Sequence, residues 1–144
     1  MAQRVSDAIQ IDAAPQRVCD VAADIESYPS WQPDIKDLEV RETDEEGRAA
    51  RVWMRVDARV RVVSYTLEYD YSRAPQSFSW KLVDGDLKSL EGSYTFEEMN
   101  GGTQVSYELS IDPGFRIPGM LKRQAERHIV KSALQGLKRR VESG

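Results

Sequence analysis

Regular alternation of apolar and polar residues predicts that most of the chain folds as β-strands. In residues 63–71, apolar side chains occupy every second position, and serine, threonine, glutamate and aspartate fall between them. This period of two is typical of an antiparallel strand with one buried face and one solvated face. The pattern predicts seven strands: residues 5–12, one beginning at residue 35, two within residues 51–71, and residues 77–83, 90–96 and 105–111.

Turn signals separate these strands. Gly47 centres one turn, and residues 84–86 (Asp-Gly-Asp) and 100–102 (Asn-Gly-Gly) are hairpin signals. As one strand, residues 51–71 would be about 70 Å long at about 3.3 Å per residue, which is too long for a small domain. A further turn is therefore expected at residues 57–59.

Helical spacing of apolar residues occurs in two places. Residues 12–25 predict one or two short helices that end before Pro29, with Asp12 suited to the N-cap and Pro15 to the first turn. Residues 118–142 predict one helix of roughly 25 residues, which at about 1.5 Å per residue is long enough to cross a whole sheet.

The segment "YPSWQP" (residues 28–33) combines two prolines with two large aromatic rings. Because proline lacks an N–H and restricts the residue before it, the segment is expected to form a rigid loop. Tyr28 and Trp31 therefore either fill a core or cover a cavity.

The long predicted helix has apolar residues at intervals of four and small residues in the middle of its inward face. The small residues either let large sheet residues pack tightly or leave a void for a ligand, and both interpretations stay open. Val130 and Leu134 lie off the apolar line and indicate a second contact surface, which leaves the oligomeric state open. The apolar line is Ile117, Leu121, Ala125, Ile129, Ala133, Leu137 and Val141, and the small residues are Ala125, Ser132, Ala133 and Gly136.

Composition is typical of a globular protein, with 40% hydrophobic and 31% charged residues. The 144 residues are enough for one domain with a sizeable core, which we predict over residues 1–144. A net charge of −4 argues against DNA binding, which usually needs a basic surface. The sequence contains neither an apolar run long enough to span a membrane nor the apolar core of a signal peptide, so a cytoplasmic location is expected.

Motifs for covalent or metal chemistry are missing from the sequence. Cys19 and His128 are the only cysteine and histidine, which argues against an internal disulfide and a structural zinc site. Cys19 falls among apolar residues at helical spacing and is expected to be a buried core residue. No P-loop, calcium loop or Gly-x-Ser-x-Gly sequence occurs, so we expect no metal and no cofactor.

His128 and a group of tyrosines are the remaining candidates for chemistry. His128 is predicted on the inward helix face, where it either completes the core or exchanges a proton with a ligand. It is a weak candidate for a catalytic residue, and no other is assigned. Because each buried phenol needs a hydrogen-bond partner, four of them on one interior favour a lined cavity: Tyr65, Tyr69, Tyr94 and Tyr107.

The order of these elements and two sequence segments carry a resemblance to a known family. The segment "DAAPQRVCDVAADIESYPSW" leads from a proline-initiated helix to the Tyr-Pro-x-Trp loop, and "IPGMLKRQAERHIVKSALQGLKRRVE" forms the C-terminal helix. Over nearly the whole chain, this arrangement resembles the START-like (SRPBCC) superfamily. Within it, the chain is most similar to bacterial polyketide cyclase/dehydrase and coenzyme-Q-binding-type proteins.

The resemblance implies an α+β helix-grip fold. In this fold a curved seven-stranded antiparallel sheet wraps around the long C-terminal helix, two short helices follow the first strand, and an apolar ligand cavity lies between sheet and helix. The residues expected to bind the ligand are Trp31, Met54, Tyr65, Leu67, Tyr69, Trp80, Leu82, Tyr94, Phe96, Tyr107, Leu121, Ala125 and His128.

Three functions follow from the family as hypotheses. The first is binding or carriage of a hydrophobic small molecule such as a lipid, quinone or polyketide. The second is a polyketide aromatase/cyclase or dehydrase, in which His128 and one tyrosine would act on an enolising carbonyl. The third is a ribosome-associated, toxin-like role in which the basic C-terminal helix contacts the ribosome or another protein, with salt-sensitive binding.

Overall fold

The computed structural model describes residues 3–143 and contains one sheet, two α-helices and a short 3₁₀ helix. The 3₁₀ helix (Ile25–Ser30) follows the first α-helix directly. The α-helices are α1 (Pro15–Ala23) and α2 (Gly119–Ser143), and the strands are β1 (Gln3–Ile11), β2 (Ile35–Thr43), β3 (Ala49–Asp57), β4 (Val62–Asp70), β5 (Ser77–Gly85), β6 (Ser89–Met99) and β7 (Gly102–Asp112).

The seven strands form one antiparallel sheet in the order β1-β7-β6-β5-β4-β3-β2. Strands β2 to β6 each pair with the next strand in sequence, and β1 pairs with β7 along its whole length. Helix α2 lies over β1 and β7 and also contacts α1. The α+β helix-grip arrangement and its seven strands are therefore confirmed. No helix within residues 3–143 is long and apolar enough to cross a membrane.

The turns expected from the sequence are present. Strand β3 ends at Asp57, and the Ala58 N–H donates to the Arg61 carbonyl at 3.0 Å, which closes the turn hidden in residues 51–71. Asn100 and Gly101 both have positive φ angles, of 54° and 78°, as the two central residues of a tight hairpin turn require.

Two details of the short helices differ from expectation. The N-cap of α1 is Ala14, with no side-chain cap, because Asp12 lies too early and its N–H instead donates to Glu142 at 2.9 Å. The 3₁₀ helix includes Pro29 instead of ending before it. In so short a segment proline removes only one backbone donor, and the segment is also held by the Tyr28 hydroxyl, which donates to the Ala22 carbonyl.

Val130 and Leu134 correct the prediction of a second contact surface. Both are buried, with 1% and 2% of their surface exposed, and belong to the protein core. Helix α2 packs against β1, β7 and α1 together, so more of its circumference is covered than one apolar line provides. Cys19 is buried as predicted, and burial raises the pKa of its thiol to about 11.

The Tyr28–Trp31 pair fixes the loop against α2. The two rings meet edge to face with centroids 5.1 Å apart. A Cβ atom at Gly136 would lie 2.9 Å from the Trp31 ring, so only glycine lets the indole pack so closely on the helix. At this position, the small residue of α2 serves tight packing.

Candidate ligand-binding cavity

An apolar cavity of about 90 Å³ lies between the inner face of the sheet and α2. Seven of the predicted ligand-binding residues line it, all from strands β3 to β7. They are Met54, Tyr65, Leu67, Tyr69, Trp80, Tyr94 and Tyr107.

Strand register brings the aromatic rings together. Tyr94 pairs with Tyr107 across β6 and β7, and their ring centroids are 4.8 Å apart at right angles. Tyr69 pairs with Trp80 across β4 and β5, with centroids 5.8 Å apart. Because directly opposed residues share a sheet face, alternation along each strand is sufficient to bring these rings to one wall.

Four tyrosines on this wall have hydroxyl groups without a hydrogen bond to another described residue: Tyr65, Tyr69, Tyr94 and Tyr107. The remaining two tyrosines differ. Tyr28 donates to the Ala22 carbonyl, and Tyr71 donates to the Ala49 carbonyl at 2.7 Å. Because these four residues line the cavity and their hydroxyl oxygens are not among the buried polar atoms that lack a partner, the hydroxyls are sites where a bound molecule or water would be stabilised.

All six tyrosines of the chain have a raised pKa, and burial is the main cause in each case. A phenol in the unfolded chain ionises near pH 10. The neutral, buried form therefore contributes stability that is fully present below about pH 10 and is lost as the pH rises above it.

We accordingly expect no separate tyrosine titration in the folded protein. Absorbance at 295 nm should stay flat through pH 10, and all six phenolates should appear in one step with loss of the far-UV circular dichroism signal. One or more tyrosines that ionise near pH 10 while the circular dichroism is unchanged would contradict the buried placement.

A second, smaller cavity of about 60 Å³ adjoins the first. The two share lining residues from β3, β4, β6, β7 and α2, so they lie side by side. The outer wall of the second cavity is the loop of residues 113–118, where Arg61 lies over the Phe115 ring at 4.1 Å. The shared residues are Val56, Tyr65, Leu90, Ile111 and Ile129.

A polar cluster of Asp34, Arg59 and His128 lies beside the first cavity. His128 Nε2 is 2.7 Å from Asp34 Oδ2 and 3.0 Å from an Arg59 terminal nitrogen, and Ser132 Oγ is 3.4 Å away. His128 Nε2 either carries a proton and donates it to Asp34, or lacks a proton and accepts one from Arg59. Gain or loss of a proton at Nε2 would therefore change which of the two residues it is bonded to. The His128 side chain is 35% exposed, which places the cluster at the rim.

The other predicted site residues do not line the first cavity. Trp31 packs on Gly136, and Ala125 lines the second cavity instead. Leu121 is 46% exposed. Leu82 and Phe96 pack in or against the hydrophobic core, and His128 contacts the cavity-lining residues Asp34 and Ser132.

The structure adds lining residues that sequence reasoning did not select. Ile129 and Ser132 belong to the apolar line and to the small residues of the long helix, so a signal for both was present. Asp34 and Tyr28 reach the cavity from the loop and the 3₁₀ helix, where no periodicity marks an inward face.

A wider groove of about 470 Å³ lies on the opposite face of the sheet. Its lining includes Arg4, Glu68, Lys81, Glu91 and Glu108, which alternate with the inward residues and are largely exposed. It is an open, charged surface and not a site for an apolar ligand. Among residues 3–143, no group of three or more metal-ligating side chains is found.

A comparison with known protein families shows which family this chain belongs to. The family described as "Polyketide cyclase / dehydrase and lipid transport" matches residues 2–142. The chain belongs to this family. Its membership confirms the START-like resemblance and indicates hydrophobic ligands, because both parts of the family's description concern such molecules. No curated protein matches the chain.

Solved structures show the same family fold at low sequence identity. A START superfamily protein from Mycobacterium smegmatis is 19% identical, with a TM-score of 0.87 and 97% of each chain covered. A protein from Thermus thermophilus is 24% identical, with a TM-score of 0.82 and 98% of each chain covered. The Zhui aromatase/cyclase from Streptomyces sp. R1128 is 16% identical, with a TM-score of 0.76 over 98% of this chain and 96% of that one.

Proposed function

We propose that this protein binds a hydrophobic small molecule that carries hydrogen-bond-accepting oxygen atoms, in the cavity between the sheet and α2. The supporting observation is the wall itself, in which apolar side chains surround four tyrosine hydroxyls that have no partner in the described part of the chain. A phenol hydroxyl donates well to a carbonyl or quinone oxygen. Lipids, quinones and polyketides all combine such oxygens with a large apolar surface.

Ligand binding requires the interior to open. Sites for drug-sized ligands are usually about 300–1,000 Å³, whereas the two cavities are about 90 and 60 Å³. The side chains that line both cavities also separate them. Displacement of these side chains would merge the two cavities into one larger space. The loop of residues 113–118 and the β3–β4 turn cover the second cavity, and the exposed Arg61 contacts the ring of Phe115 between them, so we infer that the ligand enters there.

The first experiment is native mass spectrometry of the purified protein, followed by organic extraction of any bound molecule. We expect a stoichiometric apolar adduct with at least one carbonyl or quinone oxygen. In parallel, 1,4-naphthoquinone and naphthalene serve as probes, with tryptophan fluorescence, to which the cavity-lining Trp80 contributes, as the readout. An apo mass together with no binding of either probe would overturn the proposal.

The tyrosine hydroxyls are tested by the double substitution Tyr94→Phe and Tyr107→Phe. Each lost hydrogen bond is worth about 0.5–1.5 kcal/mol, so the double variant should bind 1,4-naphthoquinone roughly tenfold more weakly and naphthalene with unchanged affinity. Tyr71→Phe is the matched control, because its hydroxyl already has a partner and lies outside both cavities. Equal weakening by both variants would show that the hydroxyls act on stability and not on the ligand.

The aromatase/cyclase or dehydrase function is the second candidate, favoured by the Asp34–His128–Arg59 cluster at the cavity rim. His128 in this setting could give or take a proton at an enolising carbonyl. In that case the extracted molecule would change mass or ring pattern during incubation of the protein with a poly-β-ketone, and His128→Ala would stop the change. An unchanged ligand would favour carriage.

The ribosome contact and the cytoplasmic location stay predictions. Exposed cations on α2, such as Arg123, Arg127 and Arg139, provide the basic surface that a ribosome contact would need. Two lysines of the helix are engaged already, because Lys122 and Lys138 pair with glutamates one turn further along.

A further inference from the structure

Glu126 is a buried carboxylate in an otherwise apolar part of the molecule. Only 3% of the residue is exposed, and it lines the second cavity together with Val60, Phe115 and Ile117. Lys122 donates to its Oε2 atom at 2.6 Å from the preceding turn of α2. The ion pair thus brings the polar side chains of Glu126 and Lys122 to this cavity.

The second oxygen of Glu126 lacks a partner. Oε1 is buried, and no donor among residues 3–143 lies within hydrogen-bond distance of it. An ionised carboxylate offers about four acceptor positions, and leaving one oxygen unsatisfied away from water is costly. Because Lys122 serves only the other oxygen, a residue that lines the cavity carries an acceptor for which residues 3–143 supply no donor.

We propose that Glu126 accepts a hydrogen bond from the hydroxyl group of a ligand in the second cavity. The proposal rests on the proposed function, since it places one end of the same apolar molecule. It identifies the ligand class more closely, as an apolar alcohol or phenol with an accepting oxygen elsewhere.

The charge already present selects a neutral donor. Lys122 compensates the charge of Glu126, so a cationic ligand group would add an uncompensated charge to an apolar space. A ligand carboxylate would be repelled by Glu126. A hydroxyl adds the missing donor and no charge, and hydrogen bonds to ionised acceptors are stronger than neutral ones.

Together, the two cavities define an orientation for the ligand. Tyrosine hydroxyls donate in the first cavity, and Glu126 accepts in the second. The hydrogen-bond-accepting group of the ligand would therefore lie in the first cavity and its hydroxyl group in the second. Tyr65 lines both spaces and marks their boundary. A molecule with the two groups exchanged would place its carbonyl against the Glu126 carboxylate, and two acceptors cannot form a hydrogen bond.

The test compares 2-naphthol with 2-methoxynaphthalene, which keeps the oxygen and loses the donor, and with naphthalene. Binding to the full chain is followed by tryptophan fluorescence and calorimetry. Wild-type protein should bind 2-naphthol at least tenfold more tightly than 2-methoxynaphthalene. In Glu126→Leu this ratio should fall to near one, while the affinity for naphthalene stays the same or increases.

Control variants distinguish a failure of the Glu126 site from a failure of the cavity proposal. Glu142→Gln removes a carboxylate from the other lysine–glutamate pair of the same helix and should leave the ratio unchanged. Glu126→Gln keeps the shape and removes the charge, so an intermediate ratio is expected even if Glu126→Leu does not fold. If wild type binds naphthalene but does not distinguish 2-naphthol from 2-methoxynaphthalene, the Glu126 site is overturned and the cavity proposal stands. If wild type binds none of the three probes, the Glu126 site is overturned, and the cavity proposal is overturned with it when the purified protein is also apo and does not bind 1,4-naphthoquinone.

Discussion

Phe78→Ala is expected to lower the free energy of unfolding by about 3–5 kcal/mol, the range for removing a large aromatic side chain from a core. Phe78 is 1% exposed, and its ring is the centre of the aromatic cluster on the inner face of the sheet. The substitution leaves a void that the neighbouring rings cannot fill without moving apart from one another. Those rings, with centroids 5.3–6.3 Å from that of Phe78, are Tyr69, Tyr71, Trp80, Tyr94 and Phe96.

Urea unfolding followed by circular dichroism measures this loss, and Phe115→Ala is the matched control. Phe115 is partly exposed in the loop of residues 113–118 and contacts Arg61 through its ring face. Its removal should cost no more than about 1 kcal/mol, the upper range for an exposed cation–π contact. Similar losses in both variants would show that the aromatic cluster is not the main source of stability.

Gly92→Ala is expected to destabilise the protein and close the cavity at the same time. A Cβ atom at residue 92 would lie 2.4 Å from two ring atoms of Trp80, far inside van der Waals contact. The two residues face each other in the pairing of β5 with β6. The indole must then shift within the cavity that it lines, at a cost of about 1–3 kcal/mol for an overpacked core.

Two measurements on Gly92→Ala separate these effects. Urea unfolding gives the stability loss, and binding of 1,4-naphthoquinone, which should fall by at least tenfold, reports on the cavity. Gly119→Ala is the control, because no atom lies within 4 Å of its added Cβ and the residue begins α2. It should leave both quantities within error of the wild type. Wild-type binding by a folded Gly92→Ala variant would show that Trp80 does not form the wall.

The small residues of the long helix illustrate how one sequence pattern has two structural outcomes. Gly136 permits close packing of Trp31, which is the tight-packing alternative. Ser132 lines the first cavity and Ala125 the second, which is the void alternative. Tight packing therefore describes Gly136, whereas at Ser132 and Ala125 the helix borders unfilled space, and its occupation by a ligand stays a prediction. The difference depends on which side chain of the sheet or loop lies opposite, and periodicity along one helix contains no information about that partner.

The sequence by itself determined the seven strands, the long helix, the four hairpin or turn positions and the tyrosine-rich face. These features depend on local geometry: side chains of a strand alternate between faces, and residues such as Gly101 adopt the positive φ that a tight turn requires. A residue and its near neighbours are sufficient to fix them.

Only the tertiary structure decided the size of the cavity, its division in two, and the polar groups at its edges. Asp34, Arg59 and His128 come from three distant parts of the chain and meet because the loop, the β3–β4 turn and α2 converge there. The buried, half-satisfied state of Glu126 depends equally on the loop of residues 113–118 closing over α2. Such contacts are set by how separate elements pack, to within a fraction of an ångström, and the pattern along any one element does not specify that packing.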